Sequence, residues 1–194
     1  MEVYLIKAPT DDDWAEALRR ARVTMGKNPL EKPKPPSHEW RRKILRARHS
    51  PIRYLMYSFA FIDIPANIAV HLSRHKHAEP YNGSLRNDRQ DRMDGDKASR
   101  DTPINLIYDC NAEELMTLAN KRECNQAAQK TREAVGKMCR LAEAATPELV
   151  GLLVPNCVWH GGYCYEMKPC GKPGIITLDE MWESVKKTIE ESNK

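Results

Sequence analysis

The stretch "IRYLMYSFAFIDIPANIAVHLSRHKH", residues 52–77, changes character halfway along, and that change decides the fold. Its first half is crowded with aromatic and β-branched residues, which fit a pleated, packed surface. A strand is predicted over 52–65, ended by Pro65, which has no N–H to continue a ladder. From Ala66 the spacing turns helical, with Ile68, Ala69 and Leu72 on the buried side of a helix over 66–77. Upstream, "EVYLIKAP" alternates Val3 and Leu5 with Tyr4 and Ile6 and predicts a short, largely buried strand. "DDDWAEALRRARVTMG" predicts a helix, with acidic residues at its start and Trp14, Ala17, Leu18 and Ala21 at helical spacing. A proline-rich loop over 31–37 cannot continue it, and "EWRRKILRARH" resumes as a short helix. The polar run "NDRQDRMDGDKASRDT" is predicted to be exposed. "NAEELMTLANKRECNQAAQKTREAVGKMCRLAEAAT" reads as one helical region, opened by Asn111 with Glu114 three residues on, in the manner of a capping box. A cysteine-containing tail and a C-terminal helix occupy 155–194. The expectation is one α+β domain over 1–194, with an antiparallel or mixed central sheet flanked by helices.

Composition narrows the function classes. Of 194 residues, 41% are hydrophobic and 30% charged, an ordinary soluble balance. The 31 basic and 27 acidic residues leave a net charge of +4, which does not argue for a nucleic-acid polymer. The arginines instead crowd between Arg41 and Arg100, as a local surface for a small anion would require. No apolar run reaches transmembrane length. The first residues lack a signal-peptide layout, so a cytoplasmic protein with six reduced thiols is expected.

Residues 73–88, "SRHKHAEPYNGSLRND", carry Arg74, Lys76 and Arg86 around Asn82, Gly83 and Ser84. Gly83 would let backbone approach a ligand, Ser84 could donate to phosphate oxygens, and arginine binds phosphate bidentately. A solvated basic loop is the other reading of the same residues. Arg122 lies on the helix face of Leu118 and Ala119, where a charge needs an anion, an internal salt bridge or a snorkelling stem. Composition and spacing leave these open.

Together these residues resemble a family, the flavin-dependent thymidylate synthases. Its hallmark is Arg-His-Arg, seven residues, Ser, and an arginine two further on; here stand Arg74-His75-Lys76, seven residues, Ser84 and Arg86. "HSPIRYLMYSFAF" is similar to the family's Ser/Thr-Pro-x-Glu-His segment, and "NAEELMTLANKR" matches without a gap its helix from asparagine to the key arginine. "TRE" at 131–133 falls where the family has Ile-Arg-Glu, and "CVWHGGYCYEMKPCG" resembles the tails of some members. "KASRDTP" resembles a reduced Glu-x-Ala-Arg-x-x-Leu-Pro, which makes Arg100 a phosphate-binding candidate. Departures are plain: Lys76 for arginine, Asn82 for glutamate, Arg53 and Tyr54 for Glu-His, His71 for glutamine, and a short stretch between Arg86 and Asn111.

The resemblance implies a homotetramer binding FAD and dUMP at subunit junctions, with methylenetetrahydrofolate and NADPH as co-substrates, making dTMP. It places Ser50, Arg74, His75, Lys76, Asn82, Asn111 and Thr117 against FAD. It places His71, Arg74, Ser84, Arg86, Arg100 and Arg122 against the nucleotide, with Arg122 catalytic through its charge near uracil N3. The departures motivate an alternative, a diverged relative that adds another one-carbon group such as hydroxymethyl to a deoxypyrimidine nucleotide. A non-catalytic flavin- or nucleotide-binding protein is the third reading. The Pro-Cys-His context of the cysteine-dependent thymidylate synthases is absent. Cys157, His160, Cys164 and Cys170 lack paired zinc-ligand spacing, so no metal is expected.

Overall fold

The computed structural model describes residues 1–89 and 94–192; of the polar run 87–102, positions 90–93 lie outside the described residues. Four strands form an antiparallel sheet in the order β1-β2-β4-β3: β1 Glu2–Lys7, β2 Met56–Pro65, β3 Ala78–Asn82 and β4 Pro103–Asn111. Helices α1 (Asp11–Val23) and α2 (His38–Ala47) precede β2, and α3 (Ala66–Leu72) follows it directly. After β4 come α4 (Ala112–Arg122) and α5 (Gln129–Ala145). The tail adds α6 (Asn156–Trp159), a two-residue parallel pair β5 (Tyr163–Cys164) and β6 (Ile176–Thr177), and α7 (Leu178–Ser192). Residues 31–37 carry neither helix nor strand. The α+β class and the central sheet are as expected, with the four-stranded sheet wholly antiparallel.

One face of the sheet makes the core. Tyr57, Phe59 and Phe61 of β2 and Leu106, Tyr108 and Cys110 of β4 are buried at alternate positions, under Leu72 of α3, Leu115 and Leu118 of α4, and Val135 and Met138 of α5. The opposite face is uncovered. Paired across it run Tyr4, Ala60, Ile107 and Tyr81, of which the two tyrosines are 52% and 61% exposed. β1 is therefore half-buried rather than largely buried: Val3 and Leu5 face the core, while Tyr4 and Ile6 face outward.

Four boundaries differ from expectation, each for a local reason. Pro51 starts a 3-10 turn over Ser50–Tyr54, so the second strand begins at Met56 and not at Ile52. α3 stops at Leu72, where Ser73 caps it, and the loop expected after it contains the edge strand β3. The long helical region divides at 123–128 into α4 and α5, and both helices put residues into the core, Leu115 and Leu118 from the first and Val135 and Met138 from the second. Strand β4, unread in the sequence, alternates exposed and buried residues along its length. Gly83 serves the sheet: its N–H donates to the Asn105 carbonyl at 2.7 Å, and an added Cβ would sit 3.1 Å from that oxygen.

Candidate nucleotide site

The candidate site is built where α3, α4 and α5 converge beyond the sheet. Arg122 occupies the last turn of α4, a favourable place for a cation. Its Nε donates to His75 Nε2 at 3.2 Å, and its Nη2 donates to the His71 carbonyl at 3.0 Å. No carboxylate lies within ion-pair distance of Arg74, Arg100 or Arg122 among the described residues, so the internal salt bridge weighed for Arg122 is not formed. Burial and the neighbouring Arg74 guanidinium instead push the basicity of Arg122 down. An arginine cluster without counter-charge is set to take up an anion.

His71 reports the same field. It sits on α3 with Nδ1 2.8 Å from the hydroxyl of the buried Thr131, in the first turn of α5. Its pKa is lowered by burial first, then by the charges of Arg122, Arg74 and Arg100, so its imidazole is held neutral amid three cations. His75 is held from its other side: Nδ1 stands 2.8 Å from Glu114 Oε1. Arg74, His75, Arg122, Lys121, Gln126 and Glu166 line an open hollow of about 330 Å³, within the range of ligand pockets. Glu166, from the tail, faces Lys121 Nζ at 3.6 Å.

The other expected site residues lie elsewhere within the chain. Arg86 is exposed and paired with Asp88 through two nitrogens, at 2.9 and 2.7 Å. Ser84 Oγ accepts from the Arg86 backbone amide at 3.2 Å. Asn82 Nδ2 donates to Ser73 Oγ, and Lys76 is exposed. None of these four lines the Arg74–Arg122 hollow. Ser50 faces a different hollow of about 460 Å³, walled by Met25, Trp40, Ile44 and Pro51. Asn111 caps α4 by accepting from the Glu114 amide at 2.9 Å, and Thr117 donates to the Glu113 carbonyl at 2.9 Å. His75 itself has a side chain only 9% exposed, and both its ring nitrogens are engaged, one with Glu114 and one with Arg122.

Glu114, Thr131 and Glu166 were not anticipated as site residues. A signal for the first existed: Glu114, Leu118 and Arg122 are four apart, on one helix face. Glu166 had none, since only the tail's path brings it to α4.

Three of the six thiols are held protonated by their surroundings. Burial pushes the Cys110, Cys124 and Cys139 thiols up. Cys124, Cys157, Cys164 and Cys170 do line one small cavity of about 30 Å³, a proximity that their sequence spacing hides. All are free, and among the described residues no three His, Cys, Asp or Glu side chains stand together as a metal-ligand group.

No protein-family model and no curated protein sequence matches the chain. Its structure, however, is similar to solved ones. A flavin-dependent thymidylate synthase, ThyX, from Helicobacter pylori, complexed with FAD and dUMP, superposes with a TM-score of 0.63 at 15% identity, covering 79% of this chain and 100% of that one. A second structure of the H. pylori enzyme with FAD and dUMP gives 0.58 at 16% identity, covering 73% and 93%. A UMP/dUMP methylase, PolB, from Streptomyces cacaoi, bound with 5-Br dUMP, gives 0.59 at 14%, covering 78% and 93%. At this level of identity the likeness is one of architecture: the chain has the fold of the flavin-dependent thymidylate synthases.

Proposed function

We propose that the protein is a flavin-dependent thymidylate synthase, converting dUMP to dTMP with methylenetetrahydrofolate, FAD and NADPH. The observation that carries this reading is the half-buried Arg122, which lines a 330 Å³ hollow beside Arg74 and, among the described residues, has no carboxylate within ion-pair distance. In this reading the outer edge of the Arg122 guanidinium meets the uracil and favours its N3-anionic form, which makes C5 more nucleophilic. Arg74 and Arg100 neutralise the phosphate, and neutral His71 donates or accepts at the ring without adding a fourth charge. The exposed Arg74 suits the pyrophosphate of FAD equally, so the residues present fit the cofactor's anionic part. Bound flavin would supply the hydride that completes the methyl group.

The assembly belongs to the same proposal. Ser50, Lys76, Asn82, Ser84 and Arg86 stand away from the hollow in their own chain, and reach a shared ligand only from neighbouring subunits of a homo-oligomer, expected to be a tetramer. The uncovered sheet face with Tyr4, Ile62, Ile107 and Tyr81 supports such an assembly. Among the described residues no helix is long and apolar enough to cross a membrane. A cytoplasmic location is part of the proposal.

Incubating the purified protein with dUMP, FAD, NADPH and the folate, followed by mass analysis of the nucleotide, tests the reaction. Gain of one methylene supports dTMP formation. The changes at Lys76 and Asn82 favour, as second reading, transfer of another one-carbon group; a mass gain matching hydroxymethyl would establish that reading. No turnover with retained FAD or dUMP binding would leave a binding protein.

A further inference from the structure

Glu114 is buried, 4% exposed, and forgoes the bond that its position in the sequence offers. In α1 the capping box is reciprocal: Thr10 accepts from the Asp13 amide, and the Asp13 carboxylate accepts from the Thr10 amide at 2.9 Å. In α4 only half of it forms. Asn111 accepts from the Glu114 amide, while the Glu114 carboxylate turns inward to His75 Nδ1. A carboxylate buried without an arginine or lysine partner is unfavourable unless its bond does something else.

The donor and acceptor roles follow from the chemistry of the groups. Arg122 Nε can only donate, so His75 Nε2 must carry a lone pair. The ring proton therefore sits on Nδ1, and Glu114 Oε1 is the acceptor that holds it there. Of the five N–H groups of Arg122, one is spent on His75 and one on the His71 carbonyl; the other three find no acceptor among the described residues and can meet a ligand.

We infer that Glu114 is the positioning residue of the site: through His75 it fixes the orientation of the Arg122 guanidinium. The inference rests on the proposed reading in that Arg122 is the group presented to the nucleotide. The Glu114–His75–Arg122 chain joins the first and last turns of α4 through a residue of the loop after α3, so it also locks that loop to the helix.

The test uses the full chain with ¹⁵N-labelled histidine and arginine. In the unliganded protein, long-range ¹H–¹⁵N spectra are expected to show His75 as the Nδ1–H tautomer and the Arg122 Nε–H as slow to exchange. Glu114→Gln is nearly isosteric; it is expected to populate the Nε2–H tautomer, to speed Arg122 Nε–H exchange, and to weaken dUMP binding about tenfold or more, as loss of an outer-shell partner does elsewhere. His75→Ala should add little further loss on top of Glu114→Gln, because both act through one chain. An Nε2–H tautomer in the wild type overturns the inference even if Glu114→Gln fails to fold. Unchanged tautomer, exchange and affinity in a folded Glu114→Gln also overturn it. If the wild type ignores dUMP yet shows the expected tautomer and exchange behaviour, the positioning role stands and the nucleotide reading falls.

Discussion

Replacing Arg122 with alanine separates the two things an inward-facing arginine can do. The substitution deletes two bonds from a charged donor, at 3.2 and 3.0 Å, each of a kind that contributes roughly 1.5–3 kcal/mol. It also relieves the guanidinium's burial and its repulsion from Arg74, the two effects that depress its basicity. The open hollow lets water satisfy His75 and the His71 carbonyl. These opposing effects leave a net destabilisation of about 1–2 kcal/mol, a typical single-substitution value. For a chain of this length that lowers Tm by only ~2–8 °C. Ligand binding should suffer more. Removing one partner of a desolvated charge pair takes away about 2–5 kcal/mol. That converts to roughly 30-fold or more in the Kd for dUMP. Titration calorimetry beside thermal unfolding reads both quantities on one preparation, and Arg122→Lys keeps the charge while losing the Nε geometry. Affinity within threefold of wild type, together with a Tm loss beyond ~10 °C, would refute the reasoning: Arg122 would then be a strut of the fold.

Other expectations concern the core, the charge field and the thiols. Phe59→Ala, in the centre of β2 and fully buried, should destabilise by about 3–5 kcal/mol in denaturant unfolding; a change below ~1 kcal/mol would mean the sheet does not make the core. Tyr57→Phe removes the buried 3.0 Å bond to Thr146 and strands its hydroxyl, at about 1–2 kcal/mol by the same measurement. His71 titrates below its ordinary value of 6.5, so the unfolded chain binds its proton more readily. Its contribution to stability is therefore complete above pH ~6.5 and is lost as pH falls toward the folded value. In NMR titrations Arg74→Ala should raise the His71 pKa, as should dUMP if its phosphate enters the cluster; indifference to Arg74→Ala would remove that arginine from the site. Cys110 and Cys139 should resist alkylation until the protein unfolds, whereas exposed Cys170 should react in the native state.

Much of this molecule was legible in local chemistry. Residues 56–65 had to be a strand because bulky aromatic and β-branched side chains alternate there, and α1 had to begin at Asp11 because Thr10 and three aspartates satisfy and complement its free amides. Arg122 stood out because a charge on an apolar helix face demands an account. What escaped was set by partners distant in sequence. β3 is too short and too polar to declare itself and exists because β4 offers it an edge. No strong breaker marks the split between α4 and α5, since 123–128 contains neither glycine nor proline, and both helices bury residues in the one core.

The sequence by itself determined the α+β class, the Asn111 cap of α4 and the identity of the cationic residues, because these depend on side-chain type and near-neighbour spacing. Only the tertiary structure decided which cations meet. It drew Arg74, Arg100 and Arg122 around His71 and left Arg86 outside, paired to Asp88. It also turned Glu114 from a helix cap into the anchor of His75, because a buried carboxylate must find its donor in space, whatever lies beside it along the chain.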